Sequence, residues 1–303
     1  MRRFASAAAW AWRFASSGPD LTETAPYEQL VFSGGGLRCF WHGGWVEAVQ
    51  QRMEFKPRRI TGSSGGALSA AALIAGREHF LADRFIEAVK SCTANFSFQD
   101  LDDEDGRSAH QRVYEGVVED VIDSAAMGRI AEGPVFQISV STTGESQAGA
   151  TTRAVLGGSV YQLEQVVAPT PKPRLAAYAG LEQRIFDARQ AARDGTLPDL
   201  IRMAATVPPA FRADQWDGEW IYDGGMVNKA PLPEPDAGRT LVLLTKRFKK
   251  LPDDAGGRVQ YIQPQSPVLD GSRLDFTDVD LLHQAWEQGL DDGKTFLSRY
   301  SQT

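Results

Sequence analysis

Ile60-Thr61-Gly62-Ser63-Ser64-Gly65-Gly66-Ala67-Leu68 joins a short β-branched run to a helix of small residues through a tight turn, and its reading decides the fold. Ser64 stands at the turn. Ala67, Ser69, Ala70, Ala71 and Ala72 follow, and Gly76 closes the helical stretch. Gly62 and Gly66 have a physical reason to lack a side chain, because a Cβ at either position would sit where strand and helix approach each other. This is the pattern of a nucleophile elbow, which lifts a serine hydroxyl onto the rim of an α/β sheet. Ser64 is therefore the candidate nucleophile. In isolation an ordinary Gly-rich turn reads the same way, so the neighbouring stretches decide.

Upstream, Tyr27 to Phe32 reads as the first strand, its Leu30-Val31-Phe32 a continuous apolar run of the kind buried on both faces of a parallel sheet. It leads straight into Ser33-Gly34-Gly35-Gly36-Leu37-Arg38, ahead of the helical pattern Trp45, Val46, Val49, Met53. Bare N–H groups near a helix N-terminus make an anion cradle. Nucleotide phosphates and an acyl-transfer oxyanion compete for it. The spacing is neither G-x-G-x-x-G nor a Walker loop, which removes the main support for a nucleotide. The elbow at the end of the next strand, Arg58 to Thr61, favours the oxyanion, because loops after adjacent parallel strands open at one sheet edge. Arg38 is expected to hold this loop or to face a substrate phosphate.

The chain has 303 residues, 42% of them hydrophobic, enough for one large α/β domain with a full core. A net charge of −7 argues against a general nucleic-acid binder. Two cysteines, Cys39 and Cys92, build no disulfide framework, and His42, His79, His110 and His283 show no ligand spacing. No metal and no other cofactor is expected. No apolar run approaches the roughly 18 residues of a membrane-spanning helix. Residues 1–26 read as a separate leader and 27–303 as the domain. Within the leader, Phe4, Ala8 and Trp12 share a helical face opposite Arg2 and Arg13, which suits a short interfacial helix, a transit-like leader or simply a frayed end. A cytoplasmic location, with or without peripheral contact with a membrane, fits these features.

Further along, Phe80 to Val89 and the set Tyr114, Val117, Val118, Val121, Ile122 follow helical spacing. The acidic loop between them, Asp100 to Asp105, lacks the frame of an EF-hand and reads as solvated. Pro134 to Thr142 alternates as a strand. A Pro-rich connector at residues 168–173 precedes an expected helix over Leu175 to Ala192. Thr196-Leu197-Pro198-Asp199 carries a capping pattern. Trp216-Asp217-Gly218-Glu219 predicts a two-residue hairpin turn, whose second arm delivers Asp223-Gly224-Gly225. Thr240 to Thr245 and Val259 to Ile262 read as strands, the basic run Lys246 to Lys250 as a solvated loop, and Val279, Leu282, Trp286, Leu290 as the last helix.

Taken together, the Gly34-Gly35-Gly36 loop, the Gly62-Ser63-Ser64-Gly65-Gly66 turn and Asp223-Gly224-Gly225 resemble the patatin-like phospholipases. Ala204-Ala205-Thr206-Val207-Pro208-Pro209-Ala210-Phe211 is similar to that family's stretch before its acid, and Asn228 and Pro231 to the positions after it. The similarity spans residues 27 to 232. Cys39 departs from it, standing where the family loop usually has a glycine. The resemblance implies a three-layer α/β sandwich with a central, mostly parallel sheet flanked by helices. It also implies cleavage of phospholipid or other acyl-ester substrates by a Ser-Asp dyad. In it Ser64 attacks, Asp223 is the general base, Gly34, Gly35 and Gly36 hold the oxyanion, and no cofactor takes part.

Three other readings stay open. A Ser64-Asp223-His283 triad matches the α/β-hydrolase order, although His283 falls in a helix where a packed histidine is the plainer reading. The same dyad also serves acyl transfer to an acceptor other than water. A lipid-binding protein without turnover would need no nucleophile.

Overall fold

The computed structural model describes residues 23–92, 107–143, 170–171, 180–208, 210–269 and 275–300. The strands are β1 (Glu23–Thr24), β2 (Gln29–Phe32), β3 (Met53–Glu54), β4 (Arg59–Ser63), β5 (Val135–Thr142), β6 (Glu182–Asp187), β7 (Asp214–Trp216), β8 (Glu219–Asp223), β9 (Thr240–Leu243) and β10 (Val259–Ile262). The helices are α1 (Phe40–Gln50), α2 (Gly65–Ala75), α3 (Glu78–Ser91), α4 (Ala109–Val121), α5 (Ser124–Glu132), α6 (Ala188–Arg193), α7 (Leu197–Met203) and α8 (Val279–Tyr300). The main sheet runs β10-β9-β2-β4-β5-β8-β7, parallel from β10 to β5. From β5 onward the pairings with β6 and β8, and of β8 with β7, are antiparallel. This is the α/β architecture, with a mostly parallel central sheet flanked by helices.

Strand periodicity explains how the core divides. Leu30 and Phe32 of β2, with Leu241 and Leu243 of β9, join the large cluster beneath the helices. Val31, Val242, Leu244 and Val259 point the other way, into a smaller cluster closed by Ala230 and Phe248. Phe248 belongs to the basic run read as a solvated loop. Its ring is buried and lies under the ammonium of Lys246 at 5.2 Å, so only part of that run is solvated.

Several boundaries differ from the sequence reading. The expected helix over Leu175 to Ala192 is instead strand β6 followed by the short helix α6; residues 172–179 lie outside the described ones. Glu182, Gln183 and Arg184 favour helix, but a place beside β5, with Phe186 opposite Ile138, outweighs local preference. Thr196 flanks α7 without capping it: its hydroxyl donates to the Ala191 carbonyl at 3.4 Å, and Pro198 opens the helix. Met53 lies past α1, in the two-residue strand β3. That strand pairs with β1, which ties residues 23 and 24 of the expected leader to the body. Residues 1–22 and the acidic loop lie outside the described residues. The hairpin turn is as read, with Asp217 and Gly218 both at positive φ, 51° and 81°. No helix among the described residues is long and apolar enough to cross a membrane.

Helices α1 and α8 approach so closely that only glycine fits between them. A Cβ on Gly44 would lie 2.0 Å from the Trp286 carbonyl oxygen, and one on Gly289 would lie 2.3 Å from that of Trp41. Those obstacles are backbone atoms, so accommodation requires the helices to part. Gly289→Ala should therefore lose about 1–3 kcal/mol of stability despite its better helix propensity. Gly116→Ala in α4, where an added Cβ meets nothing within 4 Å, should gain about 0.5–1 kcal/mol. Thermal melts of the two variants will show shifts of opposite sign.

His42 of α1 is buried, edge-on to Phe32 and to Trp41, with Nε2 3.2 Å from the Leu243 carbonyl. A carbonyl only accepts, so Nε2 carries the hydrogen, and Nδ1 has no partner among the described residues. Burial lowers the pKa of this ring from 6.5 to about 3, outweighing the opposing hydrogen bond to Leu243. Below pH 6.5 the unfolded chain binds a proton that the folded chain refuses, so stability falls as pH drops toward about 3. Within that window His42 should contribute a slope of about 1.4 kcal/mol per pH unit. Urea unfolding across the window should show the slope in the native protein and its loss in His42→Gln.

Candidate active site

Strand β5 brings two distant stretches of chain to one point. Ser63, the last residue of β4, lies opposite Ser139, and Asp223, the last of β8, lies opposite Val140. The ends of β4 and β8 thus reach neighbouring positions along β5, and the next residue after β4 is Ser64. Its hydroxyl donates to Asp223 Oδ2 at 2.6 Å, across 159 residues of chain. Each residue is only 8% exposed, so the hydrogen bond works in a medium far less screening than water.

Ser64 has φ 55° and ψ −139°, a conformation that costs a non-glycine residue about 1–3 kcal/mol. The packing around it holds the strain in place. A Cβ on Gly62 would lie 2.5 Å from Ala67 Cα, and one on Gly66 would lie 2.4 Å from the Phe32 carbonyl oxygen. Helix α2 can start where it does because both positions are glycine. Asp223 is fixed on several sides. Its Oδ1 accepts from the Gly225 N–H at 2.6 Å, its own N–H donates to the Thr206 carbonyl at 2.8 Å, and its carbonyl accepts from Ser141 Oγ at 2.9 Å. The Gly224 N–H reaches the Ala204 carbonyl at 3.3 Å. The stretch beginning at Ala204 is therefore the backbone cradle of the acid.

The glycine loop lies directly over the serine, since a Cβ on Gly34 would come within 2.9 Å of Ser64 Cβ. Gly34 itself corrects the sequence reading. Its N–H, expected to face an oxyanion, is already given to the Lys229 carbonyl at 2.9 Å, and its carbonyl accepts from Thr245 Oγ1 at 2.8 Å. The N–H groups of Gly35 and Gly36 have no acceptor among the described residues. Gly36 opens the 3-10 turn Gly36–Cys39 that leads into α1, so the helix dipole points the same way. Arg38 donates from Nε to the Gly35 carbonyl at 3.4 Å and does not line the adjacent cavity. Cys39 Sγ is 3.0 Å from where a Gly65 Cβ would be, packing the loop against the turn.

Ser64 and Asp223 open onto a cavity of about 110 Å³ with apolar walls that include Leu68, Phe85, Phe211 and Phe276. Its lining also carries polar side chains that the sequence did not mark as part of a site, among them Tyr114, His110, Glu78 and Lys229. Tyr114 was read as a core position of α4. Its hydroxyl is buried with no partner among the described residues, and burial, then the nearby Cys39 and Asp223, push its pKa well above the usual phenol range. His110, one turn earlier, lines the same cavity. A polar residue on the apolar face of a helix was the available signal, and periodicity alone treats it as core. His283 lies on α8 and does not line the cavity. No group of His, Cys, Asp and Glu among the described residues is placed to hold a metal ion.

Comparison with known proteins shows the family. A solved structure, VipD from Legionella pneumophila, is similar at 12% sequence identity and a TM-score of 0.43, covering 91% of this chain and 67% of its own. No curated protein sequence matches the chain. A family model described as patatin-like phospholipase matches residues 30–236, more than half of the chain, from within β2 to beyond β8. The chain belongs to the patatin-like phospholipase family, a family of lipid acyl hydrolases.

Proposed function

We propose that this protein hydrolyses fatty-acyl esters, phospholipids among them, with Ser64 as nucleophile and Asp223 as its general base. The observation that carries the reading is the 2.6 Å hydrogen bond from Ser64 Oγ to Asp223 Oδ2 in a buried, apolar setting. Ser64 Oγ attacks the ester carbonyl carbon while its proton passes to Asp223. The carbonyl oxygen becomes an oxyanion facing the Gly35 and Gly36 N–H groups. Collapse of this intermediate expels the alcohol, which takes the proton back from Asp223. Water then repeats the sequence on the acyl-enzyme and releases the fatty acid.

A carboxylate, with a reference pKa of about 3.9, is a weak base for a serine hydroxyl. Full deprotonation is not required. The proton moves as charge develops on the attacking oxygen, and a preset short hydrogen bond lets it move without rearrangement. The Gly225 N–H, on the other carboxylate oxygen, keeps Oδ2 turned to the serine throughout. The absence of His283 from the cavity favours the dyad over the triad.

Fatty-acid release from mixed phospholipid vesicles, with products identified by mass, tests the assignment. Ser64→Ala and Asp223→Asn should each lower the rate by about 10³-fold or more, while His283→Asn leaves it unchanged. A fluorophosphonate probe should label the native protein and not Ser64→Ala. Loss of activity in His283→Asn with retention in Asp223→Asn overturns the dyad.

The loop gives a second test. A Cβ on Gly35 would lie 2.3 Å from Thr245 Oγ1, so Gly35→Ala must shift the loop. The variant keeps its N–H but moves it off the oxyanion, and loss of one such donor costs about 10²- to 10³-fold in kcat. Steady-state kinetics of Gly35→Ala should show that fall in kcat with a much smaller change in KM.

A further inference from the structure

The cavity beside Ser64 is a groove whose length follows from the helices that line it. On α2 its lining residues include Gly65, Leu68, Ala72 and Leu73, which share one helical face. At about 1.5 Å per residue they lead the groove about 12 Å away from Ser64. Along α1, Gly43 and Val46 line it on the turns after the glycine loop. Helix α3 starts at Glu78, three residues past the end of α2, so Glu78 stands at the end remote from the serine.

Trp286 of α8 closes that remote region and is fixed in place. Its indole Nε1 donates to Glu47 Oε2 at 2.9 Å, and His79 packs against its ring at 5.2 Å between centroids. Its ring also fills the space over Gly43, where an added Cβ would be 2.2 Å from ring carbon Cζ3. Glu78 reinforces the limit. Burial, with a smaller push from Glu47 and against its own backbone hydrogen bond, raises its carboxyl to about pKa 7. An acyl chain reaching this far would further desolvate a half-buried carboxyl group without offering it a partner.

We propose that the groove receives the acyl chain of the substrate and measures it, with Trp286 as the specificity-determining residue. The inference rests on Ser64 being the nucleophile. Carbon–carbon bonds of about 1.5 Å in an extended zigzag advance about 1.3 Å per methylene, so about 12 Å matches the length of an unbranched chain of about eight to ten carbons, which the walls must part slightly to admit. The substrate class is therefore esters of medium-length, unbranched acyl chains.

Two measurements test it. In the first, a homologous series of p-nitrophenyl esters is assayed with the native protein, Trp286→Ala and Leu73→Trp. Native kcat/KM should rise about fourfold with each buried methylene and fall beyond about ten carbons. Trp286→Ala should move the optimum to longer chains, and Leu73→Trp, which adds bulk at a half-buried lining position, should move it to shorter ones. In the second, binding of the free fatty acids of the same lengths to Ser64→Ala is measured by calorimetry and should show the same optimum. If Trp286→Ala does not fold, Leu73→Trp and the binding series still decide the matter. Binding with no length optimum, or an optimum that no folded variant moves, overturns the ruler. A binding optimum in a protein that hydrolyses none of the esters leaves the ruler standing and overturns the nucleophile instead.

Discussion

The turn at Ser64 exists because strand β4, helix α2 and the end of β2 are pressed together until no side-chain carbon fits between them. Gly62 lies against the backbone of Ala67, and Gly66 lies against the carbonyls of Phe32 and Ser33. This contact holds the serine at positive φ, with its hydroxyl against Asp223 at the end of β8. It also lays the loop after β2 over the loop after β4, so the free N–H groups of Gly35 and Gly36 border the same small volume. Everything else in the site is arranged relative to that contact.

The acid arrives by a different route. Asp223 follows an antiparallel strand, and its position is set by the pairing of β8 with β5 and by the carbonyls of Ala204 and Thr206. Both groups are then held with little freedom, one by steric closure and the other by hydrogen bonds. A buried carboxylate with two well-made hydrogen bonds is tolerable where an unpartnered one would not be. The buried hydroxyl of Tyr114 and the Nδ1 of His42 carry the opposite balance, each a polar atom without a partner among the described residues beside an apolar cavity.

How much of this was legible in the chain depends on whether the signal was local. The glycine spacing around Ser64 has a steric cause confined to a few residues, and it could be read directly. So could the Asp217-Gly218 turn, whose backbone conformation few residue pairs adopt. The strand β6 was hidden because Glu182 to Arg184 prefer helix in isolation and become a strand only beside β5. Pairing of this sort lies in a distant part of the chain. The use of the Gly34 N–H was hidden for the same reason, since its acceptor, the Lys229 carbonyl, is brought in by the fold. Tyr114 and Trp286 showed the spacing of core residues, which is also the spacing of residues that line a hollow in a core.

Helix α8 meets α1 through glycines and carries Trp286 to the bottom of the groove, yet α8 begins well after residue 236, where the match to the family ends. The stretch matched by the family model and the helix that places Trp286 are thus separate pieces of chain. A change in α8 would therefore reshape the far wall of the groove while leaving Ser64, Asp223 and the sheet that positions them untouched.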